Sequence, residues 1–231
     1  MERVMIITGS RKGIGRFLAE YYLEKGIKVI GCSRSESDLE RENYEHHCLD
    51  VSDEKGVQKL VRETAKKYGK IDYLINNAGI ASMNHSFLTP LSIVEKMFRT
   101  NVFGTFLFTR EVGKVMSKKK FGRIVNMTTF AVPFKLEGEA VYAASKAAVT
   151  VMAEALAREY AEYGITVNTV APPAVQTDLI AHVKKEKMDK LLQRQAIHRF
   201  GEAKDVANAI DFFLRDESAM VTGQTVYLGG V

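Results

Sequence analysis

Short runs of apolar and β-branched residues alternate along this chain with longer stretches in which apolar side chains recur every three or four positions. The first run, Val4 to Thr8, leads into a helical stretch ending near Lys25, and a second run follows from Lys28 to Cys32. The alternation continues through His46 to Leu49, Tyr73 to Asn76, Arg123 to Met127, Thr166 to Val170 and Thr225 to Leu228, giving seven strand candidates. A period of two that switches repeatedly to a period of about 3.6 marks strand–helix–strand units. Such units favour right-handed crossovers between parallel strands. The pattern therefore predicts an α/β fold, a seven-stranded doubly wound parallel sheet with helices on both faces.

No internal repeat, low-complexity tract or Pro/Gly-rich linker interrupts the pattern, and the 231 residues are expected to form a single domain, 1–231. The longest loop-like insertion runs from Pro172 to about Arg199 and holds a polar, helix-like segment from His182 to Gln195. An insertion at the carboxyl end of a strand lies over the ligand crevice of an open α/β sheet, which makes 172–199 a candidate lid.

Composition narrows the class. Hydrophobic residues make up 46% of the chain and charged residues 26%, as in ordinary globular proteins. No unbroken apolar run approaches the ~18 residues of a membrane span, and Met1 to Thr8 is too short and strand-like for a secretion signal. A cytoplasmic location with no membrane partner is expected. Cys32 and Cys48 lack CxxC or Cys/His spacing, so they read as core thiols rather than as a disulfide framework or a metal site. The net charge of +5 raises nucleic acid as a partner, but cations and acids are interspersed and form no basic stripe. Nucleic-acid binding is not expected, whereas a phosphate-rich small ligand or an acidic carrier fits the charge.

Candidate chemistry begins directly after the first strand. Gly9, Gly13 and Gly15 stand in Thr8-Gly9-Ser10-Arg11-Lys12-Gly13-Ile14-Gly15 at the head of a helix. Glycines there permit the tight turn, let backbone N–H groups approach a pyrophosphate and let the helix lie close to the sheet, although many such turns use glycine for geometry alone. The second strand ends in Ser33-Arg34, with no acid to take a ribose 2′-hydroxyl. Arg34 with Lys12 suits a 2′-phosphate, which favours NADP(H) over NAD(H); plain surface cations are the alternative. Asp50 and Val51 are placed to meet an adenine ring, and Ser52 or Asp53 to cap the next helix. Tyr142 and Lys146, four residues apart at the head of the helical stretch Ala143 to Tyr160, share one helix face. An ammonium there favours phenolate, lowers the tyrosine pKa and suits acid–base work, though the spacing also arises by chance.

Taken in order, Thr8-Gly9-x-x-x-Gly13-Ile14-Gly15, Asn76-Asn77-Ala78-Gly79 and Tyr142-x-x-x-Lys146 resemble the short-chain dehydrogenase/reductase family. Arg199-Phe200-Gly201 and Thr222-Gly223-Gln224 extend the resemblance over essentially the whole chain. It implies a Rossmann fold and an oxidoreductase that moves hydride between NADP(H) and a carbonyl or secondary alcohol. It also implies a homodimer or homotetramer joined partly by the long helices after Asn101 and Tyr142. By the same resemblance, Tyr142 gives or takes the substrate proton, Lys146 lowers its pKa and holds the nicotinamide ribose, and Asn101 supports a water-mediated proton relay. Thr129 stands where the family usually has serine and is expected to hold the carbonyl oxygen in a narrower pocket, with Thr128 as the alternative hydroxyl. Cofactor contacts are implied for Gly9, Ser10, Arg11, Lys12, Gly13, Ile14, Gly15, Ser33, Arg34, Asp50, Val51, Asn77, Ala78, Gly79, Tyr142 and Lys146, and for Pro172, Val175 and Thr177 near the nicotinamide. Pro173 replaces a customary glycine in that last segment, fixing φ and removing a donor.

Over its length the chain most resembles the 3-oxoacyl-acyl-carrier-protein reductase branch. Lys118, Lys119 and Lys120 match one basic carrier-docking place of that branch, while Tyr163 stands where a second arginine is common. A solvated face explains the three lysines equally well. Met83, His85, Phe130, Phe134, Leu136, Leu179 and His182 are pocket candidates, and their mixture leaves the substrate a small-molecule or carrier-bound carbonyl. Thr129 and Pro173 keep open a second reading, a low-activity NADP(H)-binding sensor or scaffold on the same fold.

Overall fold

The structure is a computed structural model that describes residues 2–175 and 185–231. The chain runs β1 (Val4–Thr8), α1 (Gly13–Glu24), β2 (Lys28–Ser33), β3 (Tyr44–Cys48), α2 (Glu54–Tyr68), β4 (Tyr73–Asn76) and α3 (Leu91–Phe98). After one π-helical turn, Arg99–Phe103, come α4 (Gly104–Lys119), β5 (Gly122–Met127), α5 (Ala131–Phe134), α6 (Ala140–Tyr160) and β6 (Ile165–Ala171). Then follow α7 (Lys185–Leu192), α8 (Ala203–Leu214) and β7 (Thr225–Tyr227).

The seven strands pair in the order β3-β2-β1-β4-β5-β6-β7, every pair parallel. Successive strands first build outward from β1 to β3, and then the chain crosses back to place β4 on the other side of β1. The loops leaving β1 and β4 diverge at that reversal, which opens a crevice at the carboxyl ends of the strands.

Burial on both faces explains why the central strands are almost continuously apolar. All five residues of β1 are buried. Their side chains alternate between two cores: Ile6, Leu74 and Ile124 point to the side packed by α2, α4 and α6, and Ile7, Ile75 and Val125 to the side packed by α1 and α8.

Several sequence expectations shift. β3 starts at Tyr44 because Asn43 takes a left-handed φ of 68° and its carbonyl is bonded by Val29 N at 2.9 Å. Cys48 is exposed rather than a core thiol, since β3 is the edge strand. Neither Ser52 nor Asp53 caps α2 with its side chain. Instead Asp50 accepts from Ser52 N at 2.9 Å and Ser52 Oγ at 2.8 Å, closing an Asx turn earlier in the loop. The helix formed by α6 and its 3₁₀ continuation to Tyr163 is apolar and long enough, by length and composition, to cross a membrane. Scattered polar residues break that run in the sequence, and in the fold α6 packs on β5 and β6. Of the polar segment expected to be helical from His182 to Gln195, Lys185–Leu192 forms α7; Leu179 and His182 lie outside the described residues.

Phe108 on α4 is fully buried in the α2–α4–α6 core beside the central strands. Phe108→Ala should therefore lower the unfolding free energy by about 3–5 kcal/mol, read as a shift of the urea midpoint at unchanged m.

Candidate active site

The crevice has a volume of about 660 Å³ and follows the carboxyl ends of the strands. At one end it is lined by Ser33, Arg34, Asp50 and Val51, and in the middle by Gly9, Arg11, Lys12, Gly13, Ile14 and Gly15 together with Asn77, Ala78 and Gly79. The far end is formed by Met127, Thr128, Tyr142, Lys146 and Pro172.

The middle is built by close backbone approach. Gly9 has φ +70°, and a Cβ at Gly15 would lie 2.2 Å from the Gly9 carbonyl oxygen and 2.4 Å from Asn77 Nδ2. Asn77 Nδ2 donates to the carbonyls of Thr8 at 3.0 Å and Gly9 at 3.2 Å, and Ala78 N donates to Thr8 Oγ1 at 2.9 Å. These bonds tie the two walls together. α1 opens on Lys12 with no side-chain cap bond and no acid in its first turn, so its positive end is suited to an anion. Ser10 is turned away from this surface: its side chain is buried, with Oγ 3.0 Å from the Tyr44 hydroxyl.

At the far end α6 presents Tyr142 and Lys146, both buried, on one face. Lys146 Nζ donates to Met127 O, the last carbonyl of β5, at 2.8 Å. Asn101 lies in the π-helical turn and is wholly buried, outside the crevice lining. Its Oδ1 accepts from Ile80 N at 2.9 Å, and its Nδ2 donates to Ile80 O and Ser145 Oγ, both at 2.9 Å. It thereby fixes the loop after β4 to the helix bearing the tyrosine. Single π-turns inside helices are frequent at functional sites.

The two threonines differ in their bonds, and it is Thr128 that lines the crevice. Thr128 Oγ1 is occupied within the fold, donating to the Lys146 carbonyl at 3.2 Å and accepting from Thr150 Oγ1 at 3.1 Å. Thr129 instead hydrogen-bonds Tyr142 and accepts from Ala131 N at 3.2 Å.

Electrostatics differ from the sequence expectation, in which the ammonium lowers the tyrosine pKa. Burial pushes the Tyr142 phenol up to about 12; the Thr129 bond pulls the other way and the Glu139 charge adds to the rise. Burial also brings Lys146 down to about 8, so desolvation outweighs any help it gives the phenolate. Glu139, three residues before Tyr142 and at the head of α6, is itself buried, which raises its carboxyl pKa.

The segment after β6 carries the departure at Pro173. A Cβ at Gly201 would lie 2.2 Å from Pro173 Cγ, so the ring fits because residue 201 has no side chain. Val175 bridges to Gly201 and is buried, and Thr177 lies outside the described residues. Lys118, Lys119 and Lys120 precede β5 at the opposite edge of the sheet from the crevice, and Lys120 rests over the Tyr163 ring at 5.2 Å.

Sequence reasoning passed over Glu139, Tyr44 and His46. Glu139 had a readable signal, an acid at helical spacing from Tyr142. Tyr44 and His46 had only strand alternation.

A family model described as enoyl-(acyl carrier protein) reductase matches residues 9–230. The 3-oxoacyl-[acyl-carrier-protein] reductase FabG of Escherichia coli strain K12 is 33% identical over 234 residues, covering 99% of this chain and 96% of that protein. FabG of Staphylococcus epidermidis is 30% identical over 240 residues, covering 100% and 98%. Among solved structures, ElxO with NADP bound is similar at TM-score 0.91 and 29% identity, with 99% and 97% of the two chains covered. Aldohexose dehydrogenase of Thermoplasma acidophilum in ligand-free form is similar at TM-score 0.91 and 26% identity, covering 99% and 93%.

Burial lowers Lys146 from 10.5 to about 8, so the unfolded chain holds that proton more tightly than the folded one. The charged lysine then costs stability at pH values below its folded pKa, and the cost fades as pH rises through the interval to the unfolded value. Lys146→Met should raise the unfolding free energy at neutral pH by on the order of 2 kcal/mol, after about 1 kcal/mol is lost with the Met127 bond. Urea denaturation across pH checks this: the gain should shrink on the alkaline side.

Proposed function

This chain belongs to the short-chain dehydrogenase/reductase family, and from that membership we propose that it interconverts a carbonyl and a secondary alcohol with NADP(H), in the manner of the 3-oxoacyl-carrier-protein reductases. The observation that carries the reading is one continuous crevice running from Arg34 past the glycine turn to the buried Tyr142 and Lys146. The order of its chemistry suits a dinucleotide: cation, backbone cradle, then acid–base pair.

NADP(H), when bound, supplies or accepts the hydride. The chain's own residues bind and orient. Gly9, Gly13, Gly15 and the head of α1 would hold the pyrophosphate, and the fit rests on a helix start that carries no acid and no side-chain cap bond. Arg34, with Lys12 and Arg11 nearby on the crevice wall, takes the 2′-phosphate. Asp50 and Val51 would border the adenine, Ala78 and Gly79 the adenosine side, and Pro172 the nicotinamide end.

At the reacting carbonyl, Tyr142 gives its hydroxyl proton to the developing alkoxide, and the oxygen is oriented by Thr129. A phenol that burial keeps protonated is in the state needed to donate to a developing alkoxide. Lys146 faces the ribose side beside Gly79, where a Cβ at that glycine would meet Nζ at 3.1 Å. Asn101 keeps this arrangement rigid, and its own carbonyl accepts from Thr105 Oγ1 at 2.8 Å.

In this reading residues 172–199 are the lid of a single catalytic domain. Its described part is clamped by Arg194 Nη2, which donates to the Phe134 carbonyl at 2.7 Å next to the site. Exposed Phe103, Phe106 and Val151 lie on or beside the two long helices and support a homodimer or homotetramer. A cytoplasmic enzyme acting on a small-molecule or carrier-bound carbonyl completes the proposal.

NADPH absorbance should fall on addition of a substrate from a panel of 3-oxoacyl thioesters and hydroxyketones. Tyr142→Phe should cut kcat about 10²- to 10⁴-fold while NADPH fluorescence titration still shows binding, and an unchanged kcat overturns the proton-donor assignment. Arg34→Asp should shift the kcat/KM preference from NADPH toward NADH by about tenfold or more, and an unchanged preference removes the 2′-phosphate contact.

A further inference from the structure

A hydrogen-bond chain behind the crevice joins the two turns that face a cofactor's phosphates. Ser10 Oγ lies 3.0 Å from Tyr44 Oη, which lies 2.8 Å from His46 Nδ1. His46 Nε2 lies 3.0 Å from both Ser33 Oγ and the Ser35 carbonyl oxygen. Ser10 belongs to the glycine turn after β1, and Ser33 and Ser35 flank Arg34 in the turn after β2. Tyr44 and His46, two apart on β3, share one face of the sheet.

The chain has one consistent direction for a neutral imidazole. The Ser35 carbonyl can only accept, which places the imidazole proton on Nε2. Ser33 Oγ already donates to the same carbonyl at 2.7 Å, so toward His46 it accepts. Nδ1 is then an acceptor and takes the Tyr44 hydroxyl proton, leaving the Tyr44 oxygen to accept from Ser10 Oγ. Space for this contact depends on Gly31, where a Cβ would lie 2.2 Å from Ser10 Oγ and 2.3 Å from Tyr44 Oη.

We propose that His46 is a positioning residue for the cofactor's 2′-phosphate: through Tyr44 it locks the Ser33–Ser35 turn, and with it Arg34, against the glycine turn, and so sets the preference for NADP(H) over NAD(H). This rests on the reading of Arg34 as the 2′-phosphate contact. Arg34 is exposed and His46 half-buried outside the crevice lining. An exposed ion pair is worth little when both partners must be ordered on binding, and much more when its backbone is already held. His46 supplies that holding without touching the cofactor.

The test uses the full chain and its His46→Ala, His46→Gln and Tyr44→Phe variants, with NADPH and NADH dissociation constants from cofactor fluorescence and KM and kcat from steady-state rates. His46→Ala should weaken NADPH binding and raise its KM about tenfold, while kcat and the NADH constants stay within about twofold. His46→Gln keeps an amide donor toward Ser35 and should recover most of the loss. Tyr44→Phe removes the hydroxyl between Ser10 and His46 but leaves the imidazole's contacts with Ser33 and Ser35, and should give a smaller, NADPH-selective rise of about threefold; it carries the test should His46→Ala not fold. Equal weakening of NADPH and NADH, or no change in either, overturns the role of His46. A wild-type chain with no preference for NADPH overturns the cofactor reading itself, and the inference falls with it.

Discussion

Parallel pairing of every strand brings all the carboxyl ends to one edge of the sheet, and everything functional in this protein hangs on that constraint. The turn after β1 lines the middle of the crevice, the turn after β2 carries Arg34, the segment after β4 carries Asn77 to Gly79, and β5 ends at the carbonyl that receives Lys146. None of these residues is near another in sequence. Asn77 shows how the walls are kept in register: its amide spans from β4 to the carbonyls at the end of β1, so the glycine turn cannot drift without breaking two bonds.

Desolvation governs the reacting end. A phenol, an ammonium and a carboxyl group, those of Tyr142, Lys146 and Glu139, are all buried within two turns of α6. Each is pushed toward its neutral form, the acids upward and the lysine downward. Stability is given up there to hold groups whose proton affinities lie far from their solution values, as functional sites commonly do. The surrounding neutral hydrogen bonds of Asn101, Ser145 and Thr129 keep the geometry without adding charge.

Much of this was legible in the residues. β1 and β4 fall where apolar runs place them because a strand buried on both faces leaves a continuous apolar signature. The glycine turn was legible because only glycine tolerates backbone at 2.2 Å from its missing Cβ. What escaped needed the third dimension. The resemblance favours Thr129 over Thr128, but the bond of Thr129 to Tyr142 and that of Thr128 to the Lys146 carbonyl could not be read from it. Tyr44 and His46 gained meaning from register, since β3 pairs beside β2 with His46 opposite Gly31. The raised tyrosine and lowered lysine were beyond reach because spacing reports proximity but not the loss of water.

The fit of Pro173 over Gly201 makes the two positions a single unit of change. With proline at 173, position 201 takes no side chain unless the ring or the loop shifts. Restoring glycine at 173 while 201 stays glycine leaves a hole beneath the loop. A side chain added at 201 therefore has to come with a smaller residue at 173 if the loop is to keep its path.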